Sequence, residues 1–297
     1  MNMMVLRRAV CGVLLLAFGC TKPAPQPAVH YVLGKPYQAS GVWHYPADSY
    51  ELDETGLADV LPDGHAALTS DGEVFDQGAM AAAHATLQLP AIARLTDLET
   101  GRSVLLRLND RGTGNPRRLV EVTRRVAMLL GISPGGGAQV RLQVLSNESR
   151  AAVDGLPDAP HLGVVAAPRG AVEATDLPPP PGSRQGGGHL APGAHLATEQ
   201  ATPTTAVPLL RLPEAVTQGP AQPGRLWVRL DTFEEYQYAA VQRAKLSGLG
   251  PAIVSPRIGR TQAFRVQIGP IATVAQADAV LNQALAAGIP DARIVVE

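Results

Sequence analysis

Apolar and polar residues alternate in two separate stretches of this chain, and between them the alternation stops. In the first stretch, Ala91-Ile92-Ala93-Arg94-Leu95-Thr96 and Ser103-Val104-Leu105-Leu106-Arg107-Leu108 read as strands, because successive strand side chains point to opposite faces. Glu99-Thr100-Gly101-Arg102 between them predicts a hairpin-like turn. A strand from Arg118 to Val122 leads into a helix capped by Thr123, with Val126, Leu129 and Leu130 as its buried stripe and Gly131 as its stop. A further strand runs from Val140 to Leu145. Short strands from Tyr37 onward with one helix, in about 110 residues, predict a small β-barrel. The mainly β domain is placed at residues 21–146.

The second stretch, residues 225–297, contains an internal repeat. Leu226-Trp227-Val228-Arg229-Leu230 and Phe264-Arg265-Val266-Gln267-Ile268 both alternate. Each precedes an expected capping box, Thr232 with Glu235 and Thr273 with Gln276. Ala277, Val280, Leu281 and Ala284 keep helical spacing, and Gly288 stops that helix. Each half returns to a strand, Ala252–Val254 and Ala292–Val296. A doubled βαβ unit in about 70 residues predicts a small α+β domain, one sheet covered by two helices. Val228, Leu230, Phe264, Val266 and Ile268 then face the helices. Trp227, Arg229, Arg265 and Gln267 share the open face, where an aromatic ring beside hydrogen-bond donors suits a sugar.

Residues 147–224 keep no period and are rich in proline, glycine, alanine and threonine, including Pro178–Pro181 and Gly186–Gly188. Such sequence buries too little surface to offset ordering entropy, so a long disordered linker is expected, spanning on the order of 50 Å. His161, His189 and His195 within it read as solvated side chains.

The N-terminus changes the picture of where the chain works. Arg7 and Arg8 precede an apolar run, Ala9 to Phe18, and Gly19-Cys20. A run this short is a signal-peptide core, since a spanning helix needs roughly 20 apolar residues. Cys20 stands where a bacterial lipoprotein signal (residues 1–20) is cleaved and acylated. Cys11 lies inside that segment, so no disulfide and no thiolate metal site is expected in the exported chain. A net charge of -1 argues against a nucleic-acid partner, which wants a basic stripe. Neither phosphate-cradling glycine motif is present.

Candidate chemistry concentrates between Thr69 and Arg111. Val104, Leu106, Leu108 and Asp110 share one strand face, so Asp110 emerges at the end of an apolar row. Partial burial there raises a carboxyl pKa, as a general acid requires. Glu73, Asp76 and His84 are the other candidates; Gly72 makes the turn that presents Glu73. The alternatives are an ordinary Asn109-Asp110-Arg111-Gly112 turn and a structural histidine. No spacing matches a strong metal signature, and no cofactor is implied.

The pattern Gly72-Glu73-Val74-Phe75-Asp76, then Ala82-Ala83-His84, then Asn109-Asp110-Arg111-Gly112 resembles the rare lipoprotein A (RlpA) family. The resemblance implies a double-psi β-barrel and a lytic transglycosylase acting on peptidoglycan glycan strands. In such enzymes one carboxyl protonates the leaving oxygen and then accepts the sugar's 6-hydroxyl proton as a 1,6-anhydro ring closes. Hydrolysing glycosidases typically need two carboxyls. Asp110 takes that role, Glu73, Asp76 and His84 set its protonation and hold the sugar, and Arg111 contacts substrate. Gln267-Ile268-Gly269-Pro270 and the doubled fold resemble the SPOR domain, which implies binding of peptide-free septal glycan. The resemblance also implies an outer-membrane anchor through lipidated Cys20, facing the periplasm, and division-site proteins as partners.

Three departures stand out. Leu230-Asp231-Thr232-Phe233 replaces a usual glycine. Ala39-Ser40-Gly41-Val42-Trp43-His44-Tyr45, matched to the family's opening segment, is followed by an apparent insertion before Thr69. Glu121 stands where the family has aspartate. They leave open a second reading, an expansin-like protein that binds glycan without cutting it.

Overall fold

A computed structural model describes residues 26–160, 211–258 and 261–297. The signal segment, Cys20 and the three linker histidines lie outside these residues.

A short hairpin, β1 (Tyr37–Ala39) with β2 (Val42–His44), precedes six strands. They are β3 (Asp53–Val60), β4 (Ala81–Ala83), β5 (Ala91–Asp97), β6 (Arg102–Asp110), β7 (Val120–Val122) and β8 (Ala138–Val144). Neighbours run β4-β7-β3-β8-β5-β6, and β6 pairs back onto β4. The sheet thus closes into a barrel and keeps no free edge. The β3–β7 and β4–β6 pairs are parallel, the rest antiparallel. Inside, Leu95, Leu106, Leu108, Val122, Val140 and Leu142 are fully or almost fully buried. Helix α1 (Arg124–Leu130) plugs one side with Val126, Ala127 and Leu130. Its ends match the expectation: Thr123 Oγ1 accepts from the Val126 N–H, and Gly131 closes it in the left-handed region.

The expected linker 147–224 holds structure at both ends. Helix α2 (Ser146–Val153) is clamped to the barrel because Ser149 Oγ accepts from the Ile92 N–H and donates to the Ile92 carbonyl. Strand β9 (Thr217–Gln218) pairs with Arg102 and Ser103 of β6. Strand β9 is held by polar contacts to β6, whereas the end of α2 and the residues just past it also bury Val153, Leu156 and Ala159 against Tyr31.

The C-terminal sheet has the order β11-β14-β10-β15, all antiparallel. Its strands are β10 (Leu226–Phe233), β11 (Ala252–Val254), β14 (Phe264–Ile271) and β15 (Arg293–Val296); β12 (Arg257–Ile258) and β13 (Thr261–Gln262) make a small ribbon. Helices α3 (Tyr236–Lys245) and α4 (Val274–Ala286) supply Ala239, Ala277, Leu281 and Ala284 to a core with Val228, Leu230, Val266 and Ile268. Thr273 caps α4, its side chain accepting from the Gln276 N–H. The first expected capping box does not form. Thr232 stays in β10 and Glu235 precedes α3 without a side-chain cap, because β10 runs on to pair Thr232 with Arg265 and Phe233 with Phe264.

The two domains also share a core. Leu57 of β3 and Leu98, just past β5, pack into the C-terminal cluster and are 0% and 7% exposed. Around them Thr55 Oγ1 donates to the Val296 carbonyl at 2.7 Å, and Arg118 donates to both Asp278 oxygens at 2.9 and 3.3 Å. Both leucines read as ordinary barrel residues until the second domain is seen against them.

Candidate active site

Strand β6 delivers the central carboxylate. Its register against β4 slips between Ala82↔Leu108 and Ala83↔Asp110, a bulge at Asn109. Bulges re-aim side chains and favour active-site rims. Val104, Leu106, Leu108 and Asp110 are buried, Asp110 at 5% exposure, but so are Arg107 and Asn109 between them, so burial does not separate the two faces here.

The two Asp110 oxygens differ sharply. Oδ1 accepts three bonds: from the Ser70 N–H at 3.0 Å, the Ser70 hydroxyl at 2.6 Å and the Arg111 N–H at 2.7 Å. Oδ2 faces a single partner, Nε2 of His65. The His65 ring leans on Phe75, centroids 4.7 Å apart and tilted 50°. His65 was not among the sequence candidates. It lies four residues before Thr69 in a stretch without chemical motif, and only the fold brings it to Asp110.

Ser70 sits in a self-bonded turn. The Thr69 N–H donates to the Glu73 carbonyl, the Thr69 hydroxyl to Asp71 Oδ1, and the Glu73 N–H to Thr69 Oγ1. Gly72 makes the turn at φ +84°, and a Cβ there would lie 2.2 Å from the Ala28 carbonyl oxygen of the N-terminal arm. Glu73 therefore turns to Asn109 and Arg107, not to Asp110. Asn109 Nδ2 donates to its Oε2 at 2.7 Å, and Arg107 Nε lies 2.5 Å from Oε1 as an ion pair without hydrogen-bond alignment. Asp71, fully buried, shares that guanidinium at 3.8 Å. Burial first, and then the Glu73 charge, push the Asp71 carboxyl up to about 7.

The remaining candidates take separate places. Asp76 is exposed, its Oδ1 accepting from the Gly78 N–H in a turn. His84 is buried, and its Nδ1 accepts from the Thr86 and Leu87 N–H groups. Burial, followed by the charges of Arg111 and His44, pushes its pKa down to about 3. It is a neutral histidine, and its main-chain N–H donates to the Asp110 main-chain carbonyl at 2.9 Å. Arg111 donates to main-chain carbonyls, Leu87 and His84 through Nη1 and Leu33 through Nη2. It pins the N-terminal arm, so its guanidinium is not the free substrate contact expected. Among the described residues, no hydrogen bond or ion pair joins the side chain of Glu73, Asp76 or His84 to the Asp110 carboxylate.

The loop beyond Asp110 is tied by Glu121, whose oxygens accept from the Thr113 N–H at 2.6 Å and the Thr113 hydroxyl at 2.5 Å. The longer acid at this position is thus absorbed by two bonds to the loop. A hollow beside Glu121 and Arg111 holds about 10 Å³. No group of three or more metal-ligating side chains occurs among the described residues, and no helix there is long and apolar enough to cross a membrane.

On the C-terminal sheet, Trp227, Arg229 and Arg265 are half-buried and Gln267 is buried. The Glu297 carboxylate pairs with Arg229 and lies 3.9 Å from Arg265.

A closed barrel carrying a buried, asymmetrically bonded carboxylate, with a small α+β domain docked beside it, defines a two-domain protein. A family model described as "Lytic transglycolase" matches residues 54–142, and a SPOR domain model matches residues 222–295. "Endolytic peptidoglycan transglycosylase RlpA" of Pseudomonas aeruginosa (strain UCBPP-PA14) is 30% identical over 271 residues, covering 83% of this chain and 72% of that one. The proteins of the same name from Rickettsia felis and Rickettsia prowazekii are 33% and 34% identical, each over 40% of this chain, but the match spans 54% and 39% of their own lengths. The chain belongs to the RlpA family. The family match begins at residue 54, beside the start of β3, so what reads as an insertion before Thr69 contains a barrel strand. Its acidic, glycine-containing sequence hid it, because part of its apolar side faces the second domain.

Proposed function

We propose that the chain is a lytic transglycosylase that cleaves the bond between N-acetylmuramic acid and N-acetylglucosamine in peptidoglycan, leaving a 1,6-anhydro end. The observation that carries this reading is the asymmetry of Asp110. Three donors hold Oδ1, so Oδ2 is the oxygen left to carry a proton. One such oxygen is enough for a reaction in which the acid that protonates the leaving oxygen later takes back the 6-hydroxyl proton. Preorganised donors let it do so without rearrangement in the step. Glu73 anchors the turn carrying Ser70, and His84 holds the Asp110 main chain. Asp76, open to solvent, is available to sugar hydroxyls. Trp227, Arg229 and Arg265 give the C-terminal domain its face for peptide-free septal glycan, while Gln267, expected on that face, is buried and takes no part in it. Acylated Cys20 anchors the chain, with the outer membrane as its address and division-site proteins as its company.

The test is product analysis. The mature chain, residues 21–297, is expected to release 1,6-anhydro fragments from peptide-stripped sacculi, and Asp110→Asn to release none. The second reading, a glycan binder that does not cut, draws on one observation: Glu73, Asp76 and His84 are engaged away from the Asp110 carboxylate. Wild-type protein that binds sacculi and releases nothing would establish it. A mass spectrum of the mature N-terminus decides the acylation of Cys20.

A further inference from the structure

We propose that the proton of this site belongs to a His65–Asp110 pair, with His65 as the positioning residue that loads and resets the Asp110 carboxyl. The inference rests on the transglycosylase reading and adds to it. Because Oδ1 already accepts from Ser70 and Arg111, any exchangeable proton lies on the line between His65 Nε2 and Asp110 Oδ2. An imidazole nitrogen can donate on that line or accept on it. Among the described residues no other side chain is hydrogen-bonded to Oδ2, since the Ser70 hydroxyl is spent on Oδ1 and on the Arg111 N–H. Phe75 backs the ring, and the His65 side chain keeps 13% exposure against 7% for Asp110. The pair is thus nearly dry yet open at its histidine side. Arg111 and Tyr37 are the other titratable groups whose electrostatics reach Asp110.

The proton balance closes within the pair. In the loaded state one proton sits between Nε2 and Oδ2. During cleavage it passes from Oδ2 to the glycosidic oxygen, the C1–O bond breaks, and its electron pair leaves with the departing sugar's 4-oxygen. Asp110 then presents an anionic oxygen to an imidazole lone pair, and that repulsion favours recapture of a proton. The 6-hydroxyl supplies it as O6 bonds to C1. One proton leaves and one returns, and no water is consumed.

His65→Gln tests this, because an amide can still donate to Oδ2 but cannot take up the proton. In the mature chain, kcat for 1,6-anhydro release is expected to fall about 100-fold, with KM and sacculus binding unchanged. A histidine that only orients Asp110 would leave kcat near wild type in His65→Gln, whose amide keeps the donor to Oδ2. Independently of turnover, the wild-type proton spectrum should show a far-downfield ring N–H resonance from His65 that disappears in Asp110→Asn. His65→Gln with wild-type kcat, or absence of that resonance, overturns the pair. Wild-type protein that releases nothing overturns instead the transglycosylase reading on which the proton cycle depends.

Discussion

Replacing Leu57 with alanine asks whether the two domains work as one body. Leu57 belongs to a barrel strand, yet it is fully buried in the apolar cluster that includes Val228 and Leu281 of the C-terminal domain. Removing its buried methyl groups should cost about 3 kcal/mol, within the range for leucine truncated in a packed interior. Were the domains apart, the same side chain would lie on the barrel surface, and the change would cost no more than about 0.5 kcal/mol. The surrounding polar contacts do not blur this contrast. The Arg293–Glu54 pair is largely exposed and worth little, and the Arg118–Asp278 pair is untouched by the substitution. In a chain of this size 3 kcal/mol corresponds to a melting shift of about 6–12 °C. The assay follows Trp227 fluorescence in a Trp43→Phe background, so the signal comes from the C-terminal domain while the substitution sits in the barrel. A Trp227 transition that stays within about 2 °C of the parent would refute docking, whatever happens to the barrel.

Three further outcomes follow from the site. The folded state holds the Asp71 proton up to about pH 7 while the unfolded chain releases it near pH 4, so this group's contribution to stability falls as pH rises between those values. Asp71→Asn should remove that fall and leave urea midpoints higher than wild type at pH 8; an unchanged slope between pH 5 and 8 would contradict it. His84 acts oppositely: its folded pKa is pushed down to about 3, so its contribution is complete above about pH 6.5 and is lost as pH drops toward 3. His84→Asn, which keeps an acceptor near the Thr86 and Leu87 N–H groups, should flatten this acid-side loss in the same measurement. Gly112→Ala should cost at least about 2 kcal/mol. Gly112 has φ +67°, and a Cβ there would lie 2.3 Å from Glu121 Oε2, so the acid must abandon Thr113. Retention of wild-type stability and product release would show that the loop does not depend on Glu121.

Local signals carried much of this fold. The Thr123 cap and the Gly131 stop depend on a few adjacent residues, and each stands where its spacing places it; the row Val104, Leu106, Leu108 holds until the bulge at Asn109 shifts the register before Asp110. What escaped depends on contacts made at long range. The strand Asp53–Val60 has weak alternation because Leu57 faces another domain. Thr232 satisfies a capping pattern, yet strand pairing to Arg265 competes with the cap and wins. In the site, spacing gathered Glu73, Asp76, His84 and Asp110 as one group, whereas the folded chain separates their side chains. The partner of Asp110 is His65, 45 residues away, which no local pattern marks. Arg111 shows the same limit: its charge reads as free in sequence, and four main-chain carbonyls, including a weak contact to Val32 at 3.5 Å, surround it in the fold.

This separation changes what loss of activity at Glu73 or His84 would mean. Glu73 grips Arg107 and Asn109, on the strand that ends at Asp110, and so fastens the Thr69–Glu73 turn to β6. That turn carries Ser70, whose N–H and hydroxyl hold Asp110 Oδ1. On the other side, the His84 N–H fixes the Asp110 main chain, and its ring fixes its own loop. Both residues thus reach the reacting oxygen through one intermediary, by orientation and not by proton exchange. A misplacement of about 1 Å can cost on the order of 100-fold in rate, so either substitution can imitate loss of a catalytic acid. The distinction lies in rescue. Glu73→Gln can still accept from Asn109 and keep part of the turn in place, whereas Asp110→Asn keeps an acceptor for the three donors to Oδ1 and removes the carboxyl that carries the acid proton.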